Sequence, residues 1–387
     1  MRLRFFAFLL ILSLALLCSG LYVGLRVTSV WSDVNHTLVW AGVTTVVLLQ
    51  IAGPFIYRAL PFQERRFFAL RWIVFTFMGI GVTLTLYTLI ADIFITAVGF
   101  VSRHAAANVE PYGIGFALAL VAVSNVTGVF QMAFGPFVKK IEIPLPDEFA
   151  ALSGTKIVQI SDLHIGPSIS SVFASKVVRI CNSLSPDIIA LTGDLIDGFP
   201  DAIRESCAPL AGLKSRYGSY GVFGNHEFYW NPAGWDQVYR DMGITTLHSD
   251  CSRIEIGGAG LAIIGIPDGQ SFRIVPGFPY DLATACEKSR PGDFRLLLAH
   301  QPKSALGIED QNINLVLSGH THGGQFFPFT LLVRLAEPFV AGLYRVGTSW
   351  LYVNRGTGYW GPPTRFLVPP EITLITLVAE ASKKTIK

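Results

Sequence analysis

Two histidines spaced two residues apart stand in the glycine-rich segment Gly319-His320-Thr321-His322-Gly323-Gly324. They follow the apolar run 313–317, which is typical of a buried strand, and the glycines indicate a tight loop at its end. Because alternate residues of an extended chain share a face, both imidazoles are predicted to point into one crevice. Neutral imidazole is the commonest side-chain ligand of metal ions, so the loop is a candidate metal site. An ordinary polar loop is the alternative.

Four other segments that follow apolar runs carry similar side chains. In chain order they are Ser161-Asp162-Leu163-His164, Thr192-Gly193-Asp194, Gly224-Asn225-His226-Glu227 and Ala299-His300. Any one Asp or Asn has a plainer explanation as a turn former or a helix cap. However, α/β folds bind ligands at the carboxyl ends of their strands. Five of the eight histidines fall in these four segments and the Gly319–Gly324 loop taken together. The recurrence therefore favours one shared site.

The second half of the chain alternates short apolar runs with helix-like segments such as Ser170–Ser183 and 201–213. This alternation predicts an α/β fold, in which helices cover a sheet. The later runs lie closer together, which favours a mixed second sheet. The predicted strands are 156–160, 188–191, 221–223, 261–264, 295–299, 313–317, 350–353 and 372–377.

The first half of the chain is apolar enough to lie in a membrane. The whole chain is 51% hydrophobic and only 15% charged. Each of four apolar stretches reaches the roughly 20 residues that a helix needs to cross about 30 Å of hydrocarbon. They are residues 5–27, 37–57, 72–97 and 112–134. We therefore expect a four-helix transmembrane anchor at 1–138, a linker at 139–152 and a soluble domain at 153–387; a cleaved signal peptide is the alternative for the first stretch.

Basic residues in the short loops predict the orientation of these helices. Lys and Arg concentrate on the cytoplasmic side of membrane proteins. We therefore expect a multi-pass protein of the cell (inner) membrane whose catalytic domain faces the cytoplasm. The basic residues are Arg58, Arg65, Arg66 and Arg71 between the second and third helices, and Lys139 and Lys140 after the fourth.

Charge and cysteine content exclude other classes of protein. The net charge of +3 comes without a basic patch interleaved with aromatics, so no nucleic acid is expected as a specific partner. The five cysteines are scattered and lack CxxC spacing, which excludes a zinc knuckle and a disulfide framework. Asp92 lies within the third apolar stretch, where a carboxylate is a candidate functional group, a snorkelled side chain or a partner for another helix.

The motifs, taken in order, resemble those of the calcineurin-like metallophosphoesterase family. The family pattern of Asp-x-His, Gly-Asp, Gly-Asn-His-Asp/Glu, His and Gly-His-x-His is complete between residues 153 and 378. The resemblance implies a four-layer α/β/β/α sandwich, here preceded by an all-α bundle of four transmembrane helices. The Gly-Gly-Gln after His322 and the segment Arg355-Gly356-Thr357-Gly358 resemble a bacterial membrane-linked subgroup. That subgroup includes enzymes that cleave the pyrophosphate of UDP-diacylglucosamine.

The resemblance also implies roles for individual residues. Asp162, His164 and His322 would bind one divalent metal ion, while Asn225, His300 and His320 would bind a second. Asp194 would bridge the two ions, and His226 would donate a proton to the leaving oxygen. This mixture of donors suits Mn²⁺, Fe or Zn²⁺ better than Ca²⁺. Arg355 is our candidate for binding substrate phosphate, with Arg334 and Arg345 as alternatives.

These inferences predict a membrane-anchored, two-metal phosphoesterase. Its substrate would be a phosphomonoester, phosphodiester or pyrophosphate, and the anchor favours a lipid-linked one such as UDP-diacylglucosamine. A transporter or receptor with a regulatory metallophosphoesterase-like domain is the alternative, and Asp92 is what favours it. The apolar stretch Phe326–Val333 is either a packed lid or a surface for lipid.

Overall fold

The computed structural model describes residues 2–59, 67–269, 275 and 277–379, without the side chains of residues 2–9, 54 and 57–59. The chain divides into two compact units. The first comprises Met1–Phe130 together with Gly361–Phe366, and the second comprises Gln131–Trp360 together with Leu367–Lys387. The chain therefore leaves the second unit after Trp360 and returns to it at Leu367.

The first unit is built from long apolar helices. They are α1 (Arg2–Val30), α2 (His36–Ala59), α3 (Phe68–Val101) and α4 (Arg103–Phe134), the last of which continues into the second unit. All four are long and apolar enough to cross a membrane. A helix satisfies its own backbone hydrogen bonds, which is the condition for crossing hydrocarbon. The four predicted transmembrane helices are thus confirmed as helices.

The charged group inside this unit is paired between helices. Asp92 on α3 accepts a hydrogen bond from the Tyr22 hydroxyl of α1 at 2.6 Å and lies 2.7 Å from Nη2 of Arg26. Arg26 also pairs with Glu110 of α4 at 2.8 Å. Of the three explanations for Asp92, pairing between helices is the one that the structure supports, because neutralising partners reduce the cost of a charge in hydrocarbon.

Two features of this unit bear on the predicted topology. Arg71 is buried, whereas Arg65, Arg66 and the side chain of Arg58 lie outside the described residues. The returning segment 361–366 packs closely among the helices. A Cβ atom placed on Gly128 would lie 1.9 Å from Oγ1 of Thr364, so only glycine permits this approach. The expected division at residue 138 did not anticipate the inserted segment.

The second unit contains two six-stranded sheets. Sheet I has the order β1-β12-β2-β3-β4-β5 and is parallel except where β12 meets β2. Its strands are β1 (Phe137–Leu145), β2 (Lys156–Ile160), β3 (Ile188–Leu191), β4 (Ser219–Gly221), β5 (Ile244–Thr246) and β12 (Glu371–Ala379).

Sheet II has the order β10-β11-β9-β8-β7-β6, with a parallel centre and an antiparallel hairpin at each edge. Its strands are β6 (Asp250–Ile256), β7 (Ala259–Ile266), β8 (Phe294–Ala299), β9 (Leu315–Ser318), β10 (Gly342–Val346) and β11 (Ser349–Val353). The described helices of this unit are α5 (Ser171–Ser183), α6 (Pro200–Cys207), α7 (Asn225–Tyr229), α8 (Pro232–Asp241), α9 (Leu282–Glu287) and α10 (Phe329–Ala336).

The sheets pack face to face over an apolar core. Ile157 and Ile188 of sheet I share one buried cluster with Leu296 of sheet II. Leu297, the next residue along β8, belongs to a separate cluster with Ala285 of α9 on the outer face of sheet II. This alternation follows from the two-residue period of a strand. The predicted four-layer α/β/β/α sandwich is confirmed.

The linker predicted at 139–152 is wrong. Residues 137–145 form β1, which pairs in parallel with β12 from Phe137↔Glu371 to Leu145↔Ala379. The segment is extended, as the prolines indicated, but its backbone bonds to a strand near the far end of the chain. The period of a strand reveals its buried face and not its partner, so β1 was missed, as were β5, β6 and β10.

Candidate functional site

The candidate residues all follow the carboxyl ends of central strands, most of them in loops and two, Asn225 and His226, in the first turn of α7. Because these strands are parallel within each sheet, the loops emerge at one edge. Loops after β2, β3 and β4 belong to sheet I, and loops after β8 and β9 belong to sheet II. In chain order the loops carry Asp162 and His164, Asp194, Asn225 and His226, His300, and finally His320 and His322.

The first cluster joins Asp162, His164 and His322. Nε2 of His164 lies 3.0 Å from Nε2 of His322, which in turn lies 3.4 Å from Oδ1 of Asp162. All three residues are buried. The ligand atoms come from loops of both sheets, so the cluster closes the sandwich at this edge.

The second cluster joins Asp194, His300 and His320. Nε2 of His300 lies 3.2 Å from Nδ1 of His320 and 3.2 Å from Oδ2 of Asp194. Nδ1 of His300 donates to the carbonyl oxygen of Thr192 at 2.8 Å. A carbonyl only accepts, so a neutral His300 has its lone pair on Nε2, which faces the cluster.

Asp194 belongs to the second cluster and also approaches the first. Its Oδ2 lies 4.0 Å from Nε2 of His164 and 3.2 Å from Nε2 of His300, one residue from each cluster. Its Oδ1 accepts a hydrogen bond from the backbone N–H of His226 at 2.8 Å, which fixes the carboxylate. This is the position that a bridging ligand requires.

Unsatisfied atoms test whether the residues fit metal ions. Within the described part of the chain, Oδ1 of Asn225 and Nδ1 of His164 are buried without a hydrogen-bond partner. An unpartnered buried polar atom costs about 1–3 kcal/mol. A cation beside the Asn225 oxygen would remove that cost, and the amide oxygen agrees with the predicted ligand role.

The two imidazole pairs, at 3.0 and 3.2 Å, support the same conclusion. Two lone pairs at this distance repel each other unless a proton or a cation lies between them. Nitrogens bound at about 2.0–2.1 Å to one ion are about 3 Å apart. The donor set therefore fits two divalent cations, with the mixture of nitrogen and oxygen that suits Mn²⁺, Fe or Zn²⁺.

The backbone of these loops is strained. Five of the candidate ligands have positive φ, which residues other than glycine adopt only rarely. Such conformations cost about 1–3 kcal/mol each and concentrate at functional sites. The five are Asp162 (51°), His164 (50°), Asp194 (53°), His320 (69°) and His322 (52°).

A glycine permits two of the loops to meet. A Cβ atom on Gly319 would lie 1.9 Å from Oγ of Ser161 and 2.2 Å from Oδ2 of Asp162. The backbone N–H of the following residue, His320, lies 3.0 Å from both oxygens of Asp162 and donates to them. Glycine at 319 thus lets one loop supply a donor that orients the carboxylate of the other.

The imidazole of His226 is held by the carboxylate of Asp197. Its Nδ1 lies 3.1 Å from Oδ1 of Asp197, which also accepts from Nε1 of Trp230 at 3.0 Å. Burial alone would lower the pKa of His226, but Asp194 and Asp197 outweigh it and raise the pKa to about 9. Its Nε2 faces the clusters, 3.9 Å from Oδ2 of Asp194. Asp197 therefore positions the imidazole ring of His226.

Burial and neighbouring charges set the pKa values of the other candidate ligands. It raises the pKa of Asp162 to about 6. Burial, followed by neighbouring histidine charges, lowers the pKa of His164 to about 3 and that of His320 to about 4. Burial would raise the pKa of Asp194, but His300 and His226 hold it well below its usual range. His164 and His320 are thus neutral near pH 7, which is the form that binds metal.

Glu227 is a site residue that sequence reasoning left unassigned. Its Oε2 accepts from the backbone N–H groups of Asp194 at 3.0 Å and Gly224 at 2.8 Å. Its Oε1 accepts from Leu195 N–H at 2.8 Å and from the Tyr239 hydroxyl at 3.0 Å. Burial and the Asp194 charge raise the pKa of Glu227 to about 7, while four donors favour its carboxylate form. Glu227 therefore links the segment that carries Asp194 to the segment that carries Asn225 and His226.

Arg355 lies beside one of the metal loops. A Cβ atom on Gly323 would lie 3.3 Å from Cγ of Arg355, and Nε of Arg355 lies 3.8 Å from Glu371. The segment that follows runs along the Asp162 loop, since Gly358 N–H donates to the Asp162 carbonyl at 3.0 Å. Arg345, by contrast, stacks on Trp350 with its guanidinium 4.8 Å from the ring centre.

This chain is similar to known metallophosphoesterases. Residues 155–324 match the profile of the calcineurin-like phosphoesterases. A transmembrane protein with a metallophosphoesterase domain from Danio rerio is 38% identical over 67% of this chain and 62% of its own length. A metallophosphoesterase of Helicobacter pylori is 36% identical over 68% of this chain and 70% of its own length. Metallophosphoesterase YkuE of Bacillus subtilis is 35% identical over 58% of this chain and 79% of its own length. The match thus spans less than two thirds of the Danio rerio protein.

Proposed function

Because this chain belongs to the calcineurin-like metallophosphoesterase family, we propose that it hydrolyses a phosphoester bond of a lipid-borne substrate at a membrane surface. As a member of the family, it is a metal-dependent phosphoric ester hydrolase that uses two divalent metal ions. Its four apolar helices make it a membrane protein. The second unit, which carries the candidate site and is called the catalytic unit below, begins at Gln131, inside the membrane-length helix α4. This observation carries the lipid proposal.

We assign the metal ligands as the sequence predicted them. Asp162, His164 and His322 hold one cation, and Asp194 is shared with the second. The second cation is held by Asn225, His300 and His320, of which Asn225 supplies the unpartnered oxygen. The bound cations supply the acidity that activates water and stabilises negative charge on the phosphoryl oxygens.

The side chains of the protein itself provide the proton and the orientation. His226 holds a proton on Nε2 and gives it to the leaving oxygen of the ester. Asp197 keeps the ring in place through Nδ1 and favours the protonated form, since Nδ1 lies 3.1 Å from its carboxylate. Glu227 fixes the loops that carry Asp194 and His226.

Arg355 is our candidate for binding the substrate phosphate. Its stem lies against Gly323, next to His322, and a guanidinium can bind a phosphate through two parallel hydrogen bonds. The bond to be cleaved is that of a phosphomonoester, a phosphodiester or a pyrophosphate, such as the pyrophosphate of UDP-diacylglucosamine. A membrane tether raises the local concentration of such a lipid.

The proposed location is the inner membrane, with the catalytic unit in the cytoplasm. Lys139 and Lys140 are exposed directly after α4, where the positive-inside rule expects cytoplasmic residues. Asp92, which favoured a transporter or receptor, is bonded to Arg26 and Tyr22. Its observed partners give it a structural role between helices.

The test uses the full chain in lipid nanodiscs, stripped of metal with a chelator and reloaded with Mn²⁺, Fe²⁺ or Zn²⁺. We expect reloading to restore hydrolysis, with a higher kcat/KM for UDP-diacylglucosamine or another lipid phosphoester than for the matching water-soluble headgroup compound. Asp194→Asn should lose metal from both positions. Asp241→Asn, which removes the same charge from an exposed position on α8, is the matched control.

Two results would contradict the proposal in different ways. Equal kcat/KM for lipid and soluble substrates would exclude the lipid preference and leave the hydrolase intact. Full metal occupancy in Asp194→Asn would show that the ligand assignment is wrong.

A further inference from the structure

Helix α10 (Phe329–Ala336) exposes a row of large apolar side chains beside the candidate site. We propose that this helix lies in the surface of the lipid bilayer, with its leucines among the lipid chains. The proposal rests on the membrane location given above and adds a second membrane contact, made by the catalytic unit itself.

The large apolar side chains of α10 are exposed. No residue of the helix is buried, and Leu335 is 86% exposed. Leu331 and Leu332 are about half exposed, at 50% and 48%. Single exposed leucines are normal on protein surfaces, whereas a contiguous apolar row marks an interaction surface.

The apolar row is on the side of α10 that faces away from its own domain. The helix packs through Thr330, whose Cα would lie only 2.4 Å from a Cβ atom on Gly324. At 3.6 residues per turn, Leu331 and Leu335 project together, well away from Thr330. The contact with Gly324 therefore turns the leucines outward.

The contact between Thr330 and Gly324 also holds α10 against the loop that carries His322. Gly324 is two residues after His322, and the ring of Phe326 stacks on that of Phe329 at 5.8 Å. The Gln325 side chain makes two hydrogen bonds to the backbone of Trp360, at 2.9 and 3.0 Å. Helix α10 is thus packed against the loop that holds a candidate ligand.

Exposed aromatic residues continue the surface towards His226. Trp360 is 54% exposed, and its ring centre lies 6.0 Å from that of His226. Tyr229 is 56% exposed, with its ring 5.3 Å from the same histidine. Tryptophan and tyrosine are enriched at the level of lipid headgroups. An apolar rim therefore extends from α10 to the proton donor.

A bilayer is the partner that fits this surface. The catalytic unit starts inside α4, a helix of membrane-crossing length, so it is tethered to the bilayer that α4 would cross. Arg334 is exposed next to Leu335 and complements anionic headgroups. Short amphipathic helices of this kind lie in the interface, with their apolar face about 5–10 Å deep. The site would then open at the depth where the phosphate of a lipid is found.

The test measures the depth of α10 directly and does not depend on catalysis. The full chain is placed in nanodiscs of phosphatidylcholine and phosphatidylglycerol. A fluorophore is attached to Leu331→Cys or Leu335→Cys in a background where Cys18 and Cys251 are serine; Cys181, Cys207 and Cys286 are buried. Quenching is compared between aqueous iodide and lipids that carry a nitroxide high on the acyl chain.

We expect the nitroxide lipid to quench labels at 331 and 335 strongly, and iodide to quench them weakly. Arg334→Cys, on the side of the helix nearer Thr330, should be quenched less by the lipid. Glu255→Cys is the matched control, because it is exposed at the edge of sheet II opposite the site and should respond to iodide alone.

Quenching of labels 331 and 335 by iodide alone, as for 255, would overturn the proposal. Protection of both labels from both quenchers would also overturn it, because it would show that protein covers the helix. Either result leaves the hydrolase assignment standing, since that is tested by metal-dependent turnover.

Discussion

The pairing of His226 with Asp197 gives the sharpest prediction about catalysis. Asp197→Asn keeps an oxygen that can accept from His226 and from Trp230, so the shape of the site is retained. The variant removes the negative charge whose oxygen lies 3.1 Å from Nδ1 of His226. The protonated form of His226 is then less stable, and the pKa of His226 falls from about 9.

The size of the effect follows from the distance between the charges. Two unit charges about 4 Å apart at an effective dielectric of about 20 interact by about 4 kcal/mol. That energy corresponds to about three pKa units, at about 1.36 kcal/mol per unit. The Asp197 side chain is 15% exposed, so solvent screens part of this interaction. We therefore expect a decrease of about one to three units.

The sign of the pH effect is fixed by the role of the proton. His226 acts as an acid and is active below its pKa, so the alkaline limb of the kcat/KM profile reports its titration. In Asp197→Asn that limb should move about one to three units to lower pH, while activity on the acidic side is largely kept. Above the limb, kcat/KM should fall by about 10–1,000-fold.

The assay is the pH dependence of kcat/KM for a soluble phosphomonoester, with Asp241→Asn as the control for loss of a surface carboxylate. An alkaline limb that stays in place while activity falls uniformly would refute the reasoning. It would mean that Asp197 acts on the shape of the site and that His226 is not the titrating acid.

Two further predictions concern metal binding. Gly319→Ala places a Cβ atom 2.2 Å from Oδ2 of Asp162. Overpacking costs about 1–3 kcal/mol, so metal affinity should fall by about 10–100-fold in a calorimetric titration. Gly42→Ala, where a Cβ atom meets nothing within 4 Å, should bind metal normally, and equal affinities in the two variants would contradict the predicted crowding. The second prediction is that metal affinity rises with pH, because Asp194 raises the pKa of His300 well above its usual value despite burial. Binding near pH 7 should displace that proton, and below the Asp162 pKa of about 6 it should displace a second, each changing Kd about tenfold per pH unit. Titrations in buffers of different ionisation enthalpy count these protons, and a Kd that is constant with pH would exclude the displacement.

Local patterns in the sequence were enough to predict the candidate ligands and the elements that carry them. The predicted bounds of β2 and β3 are those of the structure, because each mostly apolar run gives way within three residues to Asp162 or to Gly193 and Asp194, which favour turns. Asp162 lies two residues after the end of β2 and Asp194 three residues after the end of β3, so their positions at the edge of the sheet followed from the chain alone. The four apolar helices were equally evident, since length and composition decide whether a helix can cross a membrane.

The contacts that depend on distant parts of the chain appeared only with the tertiary structure. Glu227 received no role from the sequence motifs, yet it bonds to backbone groups of two separate loops. Strand β1 was predicted to be a linker because its partner, β12, lies near the other end of the chain. Two other features also became evident only in the tertiary structure: the inclusion of residues 361–366 in the helical unit and the outward face of α10. Periodicity encodes which face of an element is buried, whereas the partner that buries it is chosen by long-range packing, which no local pattern records.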